Sequence, residues 1–275
     1  MKKFIAAGLA LCMAFMLAAC GASPSSTASQ AGSGTSAAAD GSAVTIKLGG
    51  IGPITGSTAV YGEAVMNGAQ IAVDEINASD SAVKFEYNFQ DDEGDAETAV
   101  NAYNILKDWG MQVLMGTVTT APCLAVISET EADNMFQITP SASSTDVIVP
   151  DNVFQVCFTD PNQGVSAADY IADNGLATKV AAIYDSSDAY SSGIYNAFAA
   201  EAEAKGLEIV CAEAFTADNK TDFRTQLQKA QSAGADLVFL PIYYQEAALI
   251  LTQADQLGYE PLFFGCDGMD GILAL

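Results

Sequence analysis

Thr120, Ser141, Ser143 and Asp267 are the side chains here whose types and settings suit gripping a small charged solute. Thr120 lies in Gly116-Thr117-Val118-Thr119-Thr120-Ala121-Pro122, where it can cap a helix whose first turn holds the proline. Ser141 and Ser143 lie in Ser141-Ala142-Ser143-Ser144-Thr145, a hydroxyl-rich loop opening onto a second helix start. Each hydroxyl alone reads as a helix cap. Together, two adjacent helix N-termini with free N–H groups and three hydroxyls make an uncharged cradle for a carboxylate. Asp267, in Gly265-Cys266-Asp267-Gly268, offers the complementary acid, although alone it reads equally as a turn aspartate bonded to its own backbone. Tyr61, Tyr190 and Tyr243 supply flat walls and phenol donors, or else packing between two halves of the molecule. A dipolar cradle facing an acid across a cleft suits an α-amino acid, with its carboxylate on the hydroxyls and its ammonium on Asp267.

What is missing narrows the chemistry further. No histidine occurs in 275 residues, which removes Ser-His-Asp and Cys-His nucleophiles and the HExxH zinc helix. The single arginine, Arg224, is predicted on a helix face in the second half, away from the cradle. With 34 acidic and 10 basic residues the formal net charge is -24, a field that repels phosphate backbones and anionic headgroups and argues against nucleic acid. A carboxylate held without a cation, in so acidic a chain, belongs to a ligand whose other charge is positive. The string GPITGSTAVYGE at 52–63 is neither GxGxxG nor a P-loop. Cys123, Cys157, Cys211 and Cys266 form no CxxC pair, so no metal or cofactor is implied and buried free thiols are expected. The run Asp91-Asp92-Glu93-Gly94-Asp95 departs from calcium-loop spacing and reads as a helix cap. No motif marks a pair of catalytic carboxylates, so the reading is a binding protein and not an enzyme.

The elements that must position these residues alternate regularly. Strands are predicted at 44–51, 83–89, 113–116 and 135–139, and helices at 62–77, 95–109 and 121–133. On the first helix Val65, Ala69, Ala72, Val73 and Ile76 share a face. A second series places helices at 163–174, 191–205, 221–233 and 245–257, with strands at 179–184, 208–212, 236–240 and 262–265. Strict alternation predicts an α/β fold of two doubly wound parallel-sheet lobes, one over 44–160 and one over 161–275. Residues 158–162 are read as the crossover, with Pro161 ending the preceding strand. Ligands of open α/β sheets sit beyond the strands' carboxyl ends, where every candidate above lies.

The N-terminus reads as an address. Lys2 and Lys3 precede sixteen uncharged residues, too short to cross a bilayer core, and residues 1–19 are read as a signal peptide. Its end, Leu17-Ala18-Ala19-Cys20-Gly21, resembles a bacterial lipoprotein signal. That likeness implies diacylglyceryl attachment at Cys20 and anchoring to the lipid bilayer outside the cytoplasm. Residues 20–43 carry little that could be buried and read as a flexible tether.

Several strings carry a wider resemblance, from about Thr45 to the last residue: IKLGGIGPITGSTAVYGEAVMNGAQIAVDEIN, GTVTTAPCLAV, ITPSAS, YDSSDAYSSG and FFGCDG. They resemble the solute-binding proteins of ATP-driven branched-chain amino acid importers, the leucine/isoleucine/valine-binding group with the type I periplasmic binding protein fold. The resemblance implies a membrane permease and ATPase subunits as partners, and a branched-chain or other neutral amino acid as ligand. By it, Thr120, Ser141 and Ser143 hold the ligand's carboxylate and ammonium, Tyr61, Tyr190 and Tyr243 form the walls, and Asp267 pairs with the ammonium. The family often has glutamate at this last place. A sensory ligand-binding domain for an amino acid or amide is the alternative that keeps the same lobes. Family members usually continue beyond this point and complete the first lobe. An incomplete first lobe, low stability and weak binding are therefore expected of the 275 residues.

Overall fold

The computed structural model describes residues 43–275. The signal peptide, Cys20 and all but the last residue of the tether lie outside the described residues. Two wholly parallel sheets organise the rest. The first lobe runs β1 (Val44–Gly52), α1 (Ala59–Ala78), β2 (Val83–Asp91), α2 (Ala96–Trp109), β3 (Val113–Met115), α3 (Thr120–Asp133), β4 (Gln137–Thr139) and β5 (Val153–Gln155). Its strand order is β2-β1-β3-β4-β5. The second lobe runs α4 (Asp160–Asp173), β6 (Lys179–Asp185), α5 (Ala189–Lys205), β7 (Glu208–Phe215), α6 (Arg224–Ala233), β8 (Leu237–Leu240), α7 (Tyr244–Leu257) and β9 (Leu262–Gly265). Its order, β7-β6-β8-β9, repeats the first four places of the other sheet. Each sheet therefore switches its direction of growth beside its first strand, which opens a crevice at the carboxyl edge. No helix among the described residues is long and apolar enough to cross a membrane.

The second lobe shows why the pattern folds this way. In β8 the side chains alternate across the sheet. Val238 and Leu240 pack with Leu227 of α6 and Ile250 of α7, while Leu237 and Phe239 pack with Ile171 of α4 and Phe198 of α5. A strand covered on both faces must be apolar throughout, and LVFL is. In the first lobe Ile51, Tyr103, Leu106, Leu114 and Val126 form the main core.

Helix α1 begins three residues before its predicted start and turns its predicted face inward only in part. Only Gly62 and Val73 are buried along its 20 residues. Val65, Ala69 and Ile76 are half-buried, and Ala72 is exposed. The helix nonetheless lies hard against the loop after β1: a Cβ on Gly62 would come within 1.7 Å of the Pro53 carbonyl oxygen. Only glycine allows that approach, and the approach fixes where Tyr61 stands.

Other differences have local causes. Pro161 does not end a strand; it sits in the first turn of α4, where its missing N–H leaves no intrahelical bond unmade. The link between the sheets is thus residues 156–159, and α4 begins three residues before its predicted start. Helix α6 begins at Arg224, later than predicted, because Gln253 holds the preceding residues, accepting from Phe223 N–H and donating to Thr221 O. In the acidic run only Asp95 caps a helix, accepting from Thr98 N–H at 2.8 Å. Asp91 instead accepts from Ile54 N–H and the Thr55 hydroxyl, pinning the loop after β1. Those bonds outweigh its partial desolvation and hold the Asp91 carboxyl below the usual range. All four described cysteines are free, yet only Cys123 is buried; Cys157, Cys211 and Cys266 are half-buried.

Candidate functional site

The carboxyl-edge loops of both sheets meet around two adjoining cavities, one of about 230 Å³ that holds Lys220 and one of about 180 Å³ lined by Tyr61, Thr120, Ser141, Ser143, Tyr190, Tyr243 and Asp267. Each of the seven predicted side chains is there. Tyr61 follows β1, Thr120 follows β3, and Ser141 and Ser143 follow β4. Tyr190, Tyr243 and Asp267 follow β6, β8 and β9. No lysine or arginine lines the smaller cavity, and Lys220 in the larger one is paired with Glu246 at 3.2 Å. Arg224 is spent elsewhere, donating to Asp222 Oδ1 and Gln256 Oε1 at 3.0 and 3.1 Å.

The first-lobe side is built by backbone and hydroxyl bonds. Thr139 donates its hydroxyl to Thr117 O at 2.7 Å and accepts from Ala142 N–H at 2.9 Å, which shapes the loop carrying Ser141 and Ser143. Ser143 N–H donates to Thr120 Oγ1 at 3.3 Å, tying the two hydroxyl-rich stretches together. The residue that caps α3 is Thr119, one place before the expected Thr120, and its side chain makes no capping bond. Thr119 Oγ1 is buried without a partner. The second helix start is a four-residue 3₁₀ turn over Thr145–Ile148, where Ser144 accepts from Asp146 N–H at 3.2 Å. One α-helix N-terminus, rather than the expected two, therefore faces the cavity. Its first-turn N–H groups and the adjoining hydroxyls remain an uncharged, donor-rich surface suited to a carboxylate.

The second-lobe side is built around Asp267. Tyr190 donates to Asp267 Oδ1 at 2.6 Å, and Gln163 Nε2 donates to Oδ2 at 3.0 Å. Gln163 Oε1 in turn accepts from Asp267 N–H at 3.2 Å. Burial raises the Asp267 carboxyl above the usual carboxylate range, with the Tyr190 and Gln163 bonds opposing the shift. Asp267 is nonetheless exposed and lines the cavity, so a cation can reach it. The rings of Tyr190 and Tyr243 stack at 4.8 Å and 12°, and Tyr61 meets Tyr243 at 5.8 Å across the cavity. Burial holds the Tyr61 and Tyr190 phenols well above their usual pKa, so both remain donors.

Gly268 joins the two lobes. Its carbonyl accepts from the Tyr61 hydroxyl at 2.6 Å, and its N–H donates to Tyr190 Oη at 3.0 Å. A Cβ there would stand 2.7 Å from both Tyr190 Oη and the Ile242 carbonyl oxygen. Gly268→Ala is therefore expected to shift this second-lobe turn, disturb the Tyr61 bond to its carbonyl and weaken ligand binding about tenfold or more, read by calorimetric titration.

Val118, Thr119, Gly268 and Asp270 also line the cavity, and Gln163 supports it from behind. Sequence reasoning passed over these five. Thr119 was legible in principle, since a helix starting one residue earlier would have marked it as the cap. Gln163 was not, because 104 residues separate it from its partner.

Two parallel α/β lobes whose strand-end loops enclose a small cavity are the architecture of a two-lobed solute-binding protein. The chain belongs to the periplasmic binding protein family, which matches residues 45–274. A Leu/Ile/Val-binding protein homologue from Brucella melitensis is 32% identical over 228 residues, covering 82% of this chain and 61% of the relative. A leucine binding protein from Thermotoga maritima superposes with a TM-score of 0.76 at 29% identity, covering 82% of this chain and 64% of that structure. A branched-chain amino acid transporter substrate binding protein from Streptococcus pneumoniae, in complex with isoleucine, gives 0.75 at 30% identity and the same coverages. The chain thus spans somewhat under two thirds of the length of these proteins.

Proposed function

We propose that this protein is the solute-binding component of an ABC importer and captures a neutral α-amino acid between its lobes. One observation carries the reading. The smaller cavity has an uncharged donor surface from the first lobe at one end and Asp267 from the second at the other, with no basic side chain between. The ligand's carboxylate lies on the N-terminus of α3 with the Thr120, Ser141 and Ser143 hydroxyls. Its ammonium lies on Asp267, and Tyr61, Tyr190 and Tyr243 enclose what remains. The named activities of the relatives support a branched-chain side chain, and the cavity suits a solute of that size. Permease and ATPase partners follow from the importer role. Acylation of Cys20 tethers the protein on the outer side of a membrane.

Calorimetric titration with leucine, isoleucine, valine, threonine and alanine tests the ligand class. The best binder is compared with its analogues lacking the amino or the carboxylate group. Each deletion is expected to weaken binding at least about 100-fold, because it leaves a desolvated partner unpaired. A des-amino analogue that binds as tightly as its parent overturns the reading. For the anchor, labelled palmitate is expected to enter the wild type and not Cys20→Ser.

A further inference from the structure

Behind the cavity lies an acid that the proposed ligand contacts leave unused. Asp160 opens α4 at the junction of the lobes and is 1% exposed. Neither of its carboxylate oxygens has a hydrogen-bond partner. Its N–H donates to Ser143 O at 2.9 Å, so it is fastened directly to a cavity residue of the other lobe. The Ser143 side chain is the neighbour that favours its ionised form. The groups facing it are otherwise acids or neutral: Asp267 beyond β9, Asp188 at the cap of α5, Tyr243 at the cap of α7, and Cys157 and Cys266. Across from it on α5 stands Gly193, where a Cβ would lie 3.4 Å from Oδ2. No cation is among these neighbours. A buried carboxyl so placed holds its proton until a positive charge arrives.

Resting on the amino-acid reading above, we propose that Asp160 is a positioning residue that gives up its proton when the ligand's ammonium binds, and then orients the Ser143 hydroxyl. The ionised carboxylate accepts a hydrogen bond from the Ser143 hydroxyl, which turns an oxygen lone pair toward the ammonium. The proton lost from Asp160 passes by way of that hydroxyl to water in the cleft. Burial, with Asp267 and Asp188 adding to it, pushes the Asp160 carboxyl up to about 7, so the exchange falls in the physiological range.

The test is calorimetric titration of the tightest-binding member of the five-amino-acid panel from pH 6 to 8, in buffers of differing ionisation enthalpy. Wild type is expected to release protons on binding and to lose about tenfold in affinity from pH 8 to pH 6. Asp160→Asn is expected to lose most of that fall and of the proton release, keeping only what Asp267 contributes. Asp92→Asn is the control. Asp92 is also fully buried and pushed up to about 7, but it belongs to the loop after β2 and bonds Gly94 N–H. It should leave the binding profile unchanged. In melts without ligand, Asp160→Asn should gain on wild type as pH rises from 5 to 8. A raised folded pKa means that the folded state binds the extra proton, so wild type loses stability over that window. Asp160→Asn retaining the full tenfold fall, or a wild-type affinity flat with pH, overturns the inference alone. Failure of all five amino acids to bind wild type at any pH defeats the amino-acid reading and this inference with it.

Discussion

Asp267→Asn is expected to weaken amino-acid binding about 30-fold or more while leaving the melting temperature within a few degrees of wild type. The asparagine keeps the size of the side chain, and its amide oxygen can still accept from Tyr190. What it loses is the negative charge and the acceptor for Gln163 Nε2. In a cavity lined by no basic residue, a ligand ammonium has Asp267 as its strongest partner, with Asp270 beside it at the edge. Removing one member of a desolvated ion pair costs about 2–5 kcal/mol, or roughly 30- to 4,000-fold in affinity. Asp270→Asn separates the two acids, since Tyr190 and Gln163 orient Asp267 and not Asp270, whose loss should change affinity only a few-fold. Wild-type affinity in Asp267→Asn, measured by calorimetry, would remove the ammonium from this end of the cavity.

Phe239→Ala is expected to lower stability by about 3–5 kcal/mol, the usual cost of emptying a buried phenylalanine site. Phe239 and Phe198 are both 0% exposed and stack at 4.0 Å and 21°, joining β8 to α5. The cavity would open at the centre of the second lobe, where sheet and helix have no freedom to collapse onto it. The corresponding fall in melting temperature is roughly 6–20 °C for a chain of this size, read by circular dichroism. Phe154→Ala gives the contrast. Phe154 also stacks on a phenylalanine, Phe136 at 5.1 Å, but both rings are substantially exposed and the pair stands at the β5 edge. Its loss should cost under about 1 kcal/mol. Equal falls in the two variants would show that the second-lobe core is not where the stability lies.

Local patterning made most of the architecture readable. Strands such as LVFL and helices such as 245–257 announce themselves through runs and spacings that depend on near neighbours only. Boundaries were less legible where capping decided them. Pro161 was misread because a proline after an apolar run suits either the end of a strand or the first turn of a helix, and packing of α4 on α5 selected the second. The face of α1 was legible, with Val65, Ala69, Val73 and Ile76 turned inward, but periodicity does not show how much surface a helix finds to cover it. Gly62 lies hard against Pro53 at one end of α1, and Val73 is buried and Asn77 bonded to Phe85 toward the other, while Ala72 stays exposed.

For the site, the sequence by itself determined the cast: hydroxyls, tyrosines and one acid placed just after strands, with no histidine and a single distant arginine. Strand-end loops of parallel sheets all open on the same edge, so their membership in the site followed from the order of elements. Tertiary structure alone decided which of them touch. It brought Tyr61 to the carbonyl of Gly268, 207 residues away, and set Gln163 behind Asp267. It also buried Asp160 without a partner beneath Ser143. Hydrogen bonds and desolvation act over a few ångströms in space whatever the separation along the chain, so contacts between lobes leave no mark in local spacing.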